Sequence, residues 1–194
     1  MKSLYYIFLF IGLSSMAQKN NSHVLLEKII YKTIKAYQAR DEKTLNTLTN
    51  KDVGLIFIFK RGAHDNFSDE KNISFKDPTP EYLPYPPLSY NATKRKIKFE
   101  KLPDFDCSTE TWTKPSGIYC NTLLLDTTLS EIVESTHKYL YEIPENKRKE
   151  YKALEQKSHK VVVVDEESEF VFYVTFIKNQ WYLTIIDRFE SCSA

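Results

Sequence analysis

A single carboxylate stands on an apolar strand near the C-terminal end of the chain. Segments 170–177 and 181–188 are rich in aromatic and β-branched residues and predict two antiparallel strands joined by a tight turn. With a two-residue turn at 179–180, Asp187 faces Phe172 and shares the apolar face of the hairpin. Because burial raises the pKa of an unpaired carboxyl group, Asp187 is a candidate general acid or base.

Asp187 also has non-catalytic interpretations, and these carry more weight. If it is buried, it needs a cationic or hydrogen-bonding partner, because an isolated buried carboxylate is costly to ionise. The arginines considered as partners are Arg61, Arg95 and Arg188, and the further alternative is an exposed strand end. Tyr173, Tyr182 and Arg188 are candidate binding residues, although tyrosines in strands more often pack in the core.

Other motifs of enzyme and cofactor sites are missing from the sequence. With only 4 Gly, it contains neither the GxGxxG loop, nor the GxxxxGK[ST] loop, nor the GxSxG nucleophile turn. The 4 His are far apart and no Cys-x-x-Cys pair occurs, so we predict no metal site and no cofactor. Beyond residue 17 the numbers of basic and acidic residues are equal, which argues against nucleic acid as a partner.

A segment rich in proline and tyrosine interrupts the middle of the chain. Residues 62–92 carry closely spaced prolines around Tyr82 and Tyr85. Proline excludes helix and allows only edge strands, so we predict an irregular insertion that runs across the surface. Tyr82 and Tyr85 either pack on the domain, which is the favoured interpretation, or bind a partner.

Three cysteines, Cys107, Cys120 and Cys192, allow one disulfide and leave one thiol over. Cys107 and Cys120 are nearest in sequence and have the turn formers Pro115 and Gly117 between them, so we predict that these two pair. The alternative is that Cys192, close to the end of the sequence, joins one of the other two. An oxidising compartment favours pairing in either case.

The first residues have the layout of a secretory signal peptide. Lys2 is followed by an apolar run over residues 4–13, and Ser15-Met16-Ala17 places small residues at the −3 and −1 positions of a cleavage site. The apolar run is too short for a comfortable membrane span. We therefore expect cleavage of residues 1–17, export to the periplasm or the outside of the cell, and no stable membrane insertion of the mature chain.

The hydrophobic pattern of residues 18–194 predicts one α+β domain, in which the N-terminal helices pack on a curved, mostly antiparallel sheet. Helices are predicted over residues 24–39, 42–48, 128–143 and 145–156. Strands are predicted over residues 54–60, 94–102, 118–125, 160–165, 170–177 and 181–188.

This order of elements, with Lys-Asn-Gln-Trp-Tyr-Leu at 178–183, resembles the nuclear-transport-factor-2-like superfamily over most of residues 23–190. It is similar in particular to small exported flavobacterial members, whose signal peptides often end in Met-Ala-Gln, as residues 16–18 do. The Pro-rich stretch and residues 107–120 depart from the family pattern as an insertion. The resemblance implies a cone-like sheet that encloses a ligand-binding cavity; some members are isomerases, dehydratases or cyclases, and many are non-catalytic. A cystatin-like inhibitor is the related alternative.

Two functions from different classes fit these observations. The first is a non-catalytic exported domain that binds an unknown small molecule or protein through its sheet concavity or its Pro/Tyr segment. The second is a small cavity enzyme, an isomerase or hydrolase, with Asp187 as the base. The scattered histidines and the lack of a second clear acid favour the first function. A closed polar cavity at Asp187 supports the enzyme, whereas Phe172, Phe176 and Leu183 filling that space would remove it.

Overall fold

The computed structural model describes residues 23–61, 64–121, 123, 126–166, 168–189 and 192. The predicted signal peptide, residues 1–17, lies outside this part of the chain. The helices are α1 (residues 23–38), α2 (Glu42–Thr47), α3 (Thr128–Tyr139) and α4 (Glu145–Glu155), with a short 3-10 helix at Tyr90–Lys94. The strands are β1 (Leu55–Arg61), β2 (His64–Glu70), β3 (Ile97–Phe99), β4 (Phe105–Asp106), β5 (Thr111–Trp112), β6 (Gly117–Cys120), β7 (Ser158–Val164), β8 (Glu169–Ile177) and β9 (Gln180–Asp187).

One mixed sheet forms the centre of the fold. Its strand order is β2-β1-β9-β8-β7-β6-β3, and all neighbours are antiparallel except the pairs β1–β9 and β3–β6. The sheet is not closed, because β2 and β3 are its two edges. The predicted α+β class with helices packed on a mostly antiparallel sheet is therefore confirmed. Strands β4 and β5 pair only with each other and form a small hairpin beside the sheet.

Helix α1 and the Pro-rich segment cover the first face of the sheet. Ile30 and Ile34 of α1 are fully buried against Phe57 and Phe172 from the sheet. Tyr37 stacks on Phe170 with the ring centroids 3.8 Å apart. Helix α2 begins where the sequence predicts, because the Asp41 carboxylate accepts a hydrogen bond from the Thr44 amide at 2.9 Å and caps the helix.

Helices α3 and α4 cover part of the second face, over the apolar residues Ile56, Ile58 and Ile185. The two helices are joined by Glu155, which is only 1% exposed. Its carboxylate accepts hydrogen bonds from the amides of Leu129 at 2.6 Å and Ser130 at 3.0 Å, at the N-terminus of α3. These amides have no partner within the helix, so Glu155 of α4 satisfies them and fixes the packing of α3. Helices on both faces explain why β8 is buried along most of its length.

Residues 62–92 were predicted to be irregular throughout, and this is wrong for the part that forms β2. Strand β2 pairs with β1 along its whole length, from Leu55–Glu70 to Arg61–His64. The segment escaped notice because its sequence, His-Asp-Asn-Phe-Ser-Asp-Glu, lacks the apolar alternation of a half-buried strand. An edge strand in which no side chain is fully buried does not need that alternation, and its charges discourage pairing with other chains.

The predicted register of the β8–β9 hairpin is also wrong. The turn residues are Lys178 and Asn179, both with positive φ (47° and 67°), which is the geometry of the tight turns that join antiparallel strands. Val174 therefore pairs with Leu183, and a bulge between Tyr173 and Val174 shifts the rest of the ladder. As a result Asp187 pairs with Val171 instead of Phe172, and it lies on the second face of the sheet with Tyr173.

The predicted Cys107–Cys120 disulfide is wrong as well. Cys107 is bonded to Cys192, with a Cα–Cα distance of 5.5 Å, and Cys120 is a buried free thiol. The sheet separates Cys107 from Cys120, because the two residues lie on opposite faces of it. Cys120 points into the core on the α1 face, whereas Cys107 follows β4 beside the second face. Burial raises the pKa of the Cys120 thiol to about 12, so this thiol stays protonated and is a poor nucleophile at neutral pH.

Candidate functional site

A compact charged cluster lies on the second face of the sheet, next to the area that α3 covers. Lys160 of β7 places its Nζ 3.2 Å from Oδ2 of Asp126 and 3.7 Å from Oδ2 of Asp187. Asp126 precedes α3, and Asp187 is the last residue of β9. The three side chains are only 16%, 16% and 10% exposed, in the order Lys160, Asp126, Asp187. Two carboxylates thus share one lysine in a partly desolvated position.

Tyr173 contacts both Asp126 and Lys160 of this cluster. It is fully buried, it is the cross-strand partner of Lys160, and its hydroxyl donates a hydrogen bond to Oδ1 of Asp126 at 3.0 Å. The Lys160 Nζ lies 5.2 Å from the centre of its ring, within the range of a cation–π contact. Burial raises the pKa of Tyr173 well above its ordinary value, so the hydroxyl keeps its proton and acts as a donor.

The surroundings shift the two carboxyl groups in opposite directions. Burial raises the pKa of Asp187 above its ordinary value, although Lys160 and a 3.0 Å hydrogen bond from the Phe189 amide oppose the shift. Burial acts in the same sense on Asp126, but there Lys160 and hydrogen bonds from Thr128 and Tyr173 outweigh it, and the pKa is lowered. Asp126 is therefore the firmly ionised partner of Lys160, and Asp187 is the one closer to protonation.

A pocket of about 560 Å³ opens above Asp126 and Lys160. We call it the arm pocket, because the hairpin β4–β5 (the arm) forms one of its walls and the Cys107–Cys192 bond borders it. The lining residues are apolar on the walls and charged on the floor and rim: Leu102, Pro103, Phe105, Trp112, Val162, Val171 and Phe189, together with Lys60, Asp65, Asp104, Asp126 and Lys160. The rings of Phe105, Trp112 and Phe189 pack on one another, with centroid distances of 4.8 to 5.6 Å.

A second pocket, of about 500 Å³, is lined by residues of α4 and of strands β1, β2 and β8. Its apolar lining includes Ile56, Leu154 and Phe176. The charged residues around it, among them Asp52 and Lys147, are exposed to solvent. Since the arm pocket combines aromatic walls with a partly buried charged floor, it is the stronger candidate for a specific binding site.

The cavity expected between the sheet and the N-terminal helices is filled by side chains. Phe172 and Leu183 are fully buried there, together with Phe57. Phe176, which was expected to help fill this space, is instead 40% exposed at the end of β8. Asp187 was predicted to lie on this face and does not. The prediction that Asp187 is at least partly buried and has a cationic or hydrogen-bonding partner is confirmed, but the cation is Lys160 and not one of the three arginines considered.

The predicted binding residues do not form one site, although Arg188 and Tyr85 contact each other. Arg188 is buried, donates to the carbonyls of Leu83 at 2.6 Å and Pro84 at 3.0 Å, and lies 3.9 Å from the centre of the Tyr85 ring. Tyr85 is a core residue, 4% exposed, as the packing interpretation predicts. Tyr82 is 45% exposed, and its hydroxyl donates to a backbone carbonyl of β1.

The remaining predicted residues have other surroundings. Tyr182 is half-buried opposite Thr175 on β8. Arg95, a suggested partner of Asp187, pairs instead with Asp165 at 2.9 Å. The side chain of Arg61 lies outside the described part of the chain.

Sequence reasoning missed Lys160, Asp126 and Trp112. Lys160 did carry a signal, because it directly precedes the four valines of β7 and is, like Asp187, a charge in an otherwise apolar strand. Asp126 stands before a helix, a position that a capping role explains equally well. Trp112 lies among polar residues of the arm, so no periodic pattern marks it as the wall of a pocket.

Comparison with protein-family models, with curated proteins and with solved structures finds no match for this chain. Among the described residues, no helix has the length and apolar character that crossing a membrane requires.

Proposed function

We propose that this chain is an exported, non-catalytic binding domain and that its ligand site is the arm pocket. The observation that carries the proposal is the composition of this pocket, in which a wall of three packed aromatic rings stands over the partly desolvated Asp126–Lys160 pair. Apolar walls supply binding energy, and a few fixed polar groups orient the ligand. The volume of about 560 Å³ suits a small molecule rather than a protein segment.

A binding role fits the position of Asp187 better than a catalytic one. Asp187 is not among the residues that line the arm pocket. Its carboxylate is engaged by Lys160 and by the amide of Phe189. A general base must reach the proton that it removes, directly or through one water molecule, and here Lys160 stands between Asp187 and the pocket.

The neutral dye N-phenyl-1-naphthylamine, which fluoresces in apolar sites, tests the binding site. We expect it to bind the wild-type protein and to bind the L102W variant much more weakly, because Leu102 lines the arm pocket. The matched control is A153W, since Ala153 lines the second pocket and is exposed on α4. If A153W removes dye binding and L102W leaves it intact, the dye binds in the second pocket and the proposed site is wrong. A complete lack of dye binding would also contradict the proposal.

A small enzyme that uses Asp187 as general base is the second candidate. The opposite pKa shifts of Asp126 and Asp187 around one lysine favour it, because such a separation is typical of acid–base pairs. Ligands found for the arm pocket can be followed by NMR for conversion to product. The enzyme hypothesis requires turnover that D187N abolishes with little change in ligand affinity, since a base acts in the transition state. Ligands that bind without conversion would remove it.

Export is supported by the signal-peptide pattern of residues 1–17 and by the Cys107–Cys192 disulfide, since such bonds persist in oxidising compartments. N-terminal sequencing of protein from the native host should begin at Gln18 or its cyclised form. Protein that retains Met1 and stays in the cytoplasm would contradict this part of the proposal. The resemblance to the nuclear-transport-factor-2-like superfamily stays a prediction.

A further inference from the structure

We propose that the ligand of the arm pocket is a small organic cation, an ammonium group attached to an apolar body. This inference rests on the proposed binding function and deepens it by naming the chemical class of the ligand. Two features of the pocket carry it: the arrangement of charges on its floor and rim, and the aromatic rings in its wall.

The charges around the pocket are unevenly distributed. The acidic residues that line it are Asp65, Asp104 and Asp126, against two lysines, Lys60 and Lys160. Asp104 is paired at 3.1 Å with the exposed Lys101, which does not line the pocket. Asp187 adds a further carboxyl group directly behind Lys160. Because Asp126 has a lowered pKa, it stays ionised at neutral pH, and its negative charge is a permanent feature of the floor.

Lys160 is poorly placed to bind an anionic ligand. Its ammonium group already lies between Asp126 and Asp187, at 3.2 and 3.7 Å. An incoming carboxylate or phosphate would meet Asp126 beside Lys160, because both residues line the pocket and lie 3.2 Å apart, and like charges at this separation repel. A ligand ammonium is repelled by Lys60 and Lys160, but the three lining aspartates outnumber these lysines, and the ammonium needs no displacement of Lys160.

The aromatic wall supplies the second half of the site. Phe105, Trp112 and Phe189 line the pocket and are each half-buried, so part of their ring surface is available to a ligand. The faces of aromatic rings attract cations, with indole the strongest of the common rings. A carboxylate opposite such rings is a combination that recognises an amine carrying an apolar group, and the rings bind the apolar part through buried surface.

Three probes of the same shape and different charge test the inference: benzylamine, benzyl alcohol and benzoate. Binding is read from the indole N–H signals in NMR spectra of nitrogen-labelled protein, since the chain has only two tryptophans and the W181F variant identifies the signal of Trp112. We expect benzylamine to shift the Trp112 signal and to bind about tenfold more tightly than benzyl alcohol, with benzoate weakest. Raising the salt concentration should weaken benzylamine binding and leave benzyl alcohol unchanged.

Substitutions then separate the charge effect from loss of the fold. D126N should reduce benzylamine affinity about tenfold and bring it close to that of benzyl alcohol. Binding of benzyl alcohol needs only the walls, so it shows whether the variant is folded. D104N removes an exposed rim carboxylate and serves as the milder variant if D126N does not fold. The matched control is D52N at the second pocket, which should leave all three affinities unchanged.

The possible results are distinguishable. If benzoate or benzyl alcohol binds as tightly as benzylamine, the cation inference is wrong and the arm pocket is still a binding site. If the naphthylamine dye binds and benzylamine does not, the cation inference is likewise wrong and the binding site stands. If neither the dye nor any of the three probes binds, both the inference and the proposed function fall.

Discussion

Replacing Lys160 with methionine removes the cation that Asp126 and Asp187 share and keeps the volume of the side chain similar. In the wild-type protein the ammonium group lies 3.2 Å and 3.7 Å from the two carboxylates. None of the three side chains is more than 16% exposed, so water screens their interaction only in part. K160M therefore leaves two partly buried carboxyl groups close together without a counterion.

The expected loss of stability is large for a single substitution. At an effective dielectric constant of ~20, each attraction at these distances is about 5 kcal/mol, most of which is offset by the desolvation of the charges. Removing one partner of a buried ion pair typically costs about 3–5 kcal/mol. With a urea m-value of about 2 kcal/mol/M for a domain of this size, the midpoint should fall by about 1.5–2.5 M.

Urea denaturation at several pH values provides the assay. Without Lys160, the folded-state pKa values of Asp126 and Asp187 both rise above those of the unfolded chain. When the pKa of a carboxyl group is higher in the folded than in the unfolded state, the unfolding free energy of the protein falls as the pH rises through the folded-state pKa. The cost of K160M should therefore be greatest at pH 7 and should shrink as the pH falls towards 3.8, the ordinary value of an aspartate.

A second variant checks the cause of this effect. In K160M/D187N only one carboxylate remains, so the double variant should be more stable at pH 7 than K160M alone. In the wild-type background D187N should gain stability relative to the parent as the pH rises above 3.8, because the pKa of Asp187 is raised in the folded state. A K160M cost below about 1 kcal/mol, or one that does not change with pH, would refute the electrostatic reasoning.

Three further outcomes are expected. The disulfide closes a loop over a separation of 85 residues, and replacing both Cys107 and Cys192 with serine opens it. The unfolding free energy should then fall by about 4–5 kcal/mol in the chain-entropy model. Peptide mapping of the unreduced wild-type protein that finds another pairing would contradict the bond. E155A leaves two amides at the N-terminus of α3 unpaired and should cost about 2–4 kcal/mol by thermal unfolding, whereas a neutral effect would show that α3 does not depend on it. R188M removes hydrogen bonds to the Pro-rich segment, so amide hydrogen exchange over residues 79–84 should accelerate, and unchanged exchange would mean that other contacts hold this segment.

Local patterns were sufficient for most helices and strands. Asp41 caps α2 as predicted, and β7, β8 and β9 lie within two residues of their predicted positions. These elements are readable because hydrophobic period and capping chemistry act over a few neighbouring residues. Strand β2 was not readable, since an edge strand without fully buried side chains obtains its stability from pairing with β1 and needs no apolar pattern of its own.

The register of one hairpin shows where local reasoning ends. The sequence Lys-Asn-Gln indicates a turn but allows either of two residue pairs to form it, and in the structure the pair is Lys178 and Asn179. The bulge beside Tyr173 then moves Asp187 to the opposite face. A change of one residue in pairing therefore decides which side of the sheet carries the acid, and no local propensity fixes it.

The sequence by itself determined the α+β class, where each helix begins and the presence of a charged residue on a buried strand, because these follow from short-range patterns; the end of α3, predicted at residue 143, lies at Tyr139. Only the tertiary structure decided that Cys107 bonds Cys192, that Asp187 meets Lys160 and Asp126, and that the arm places Trp112 above them. These contacts join residues that are tens of positions apart, and their partners are selected by which face of the sheet each side chain occupies. That choice is made when the strands pair, and so the candidate site exists only in the folded chain.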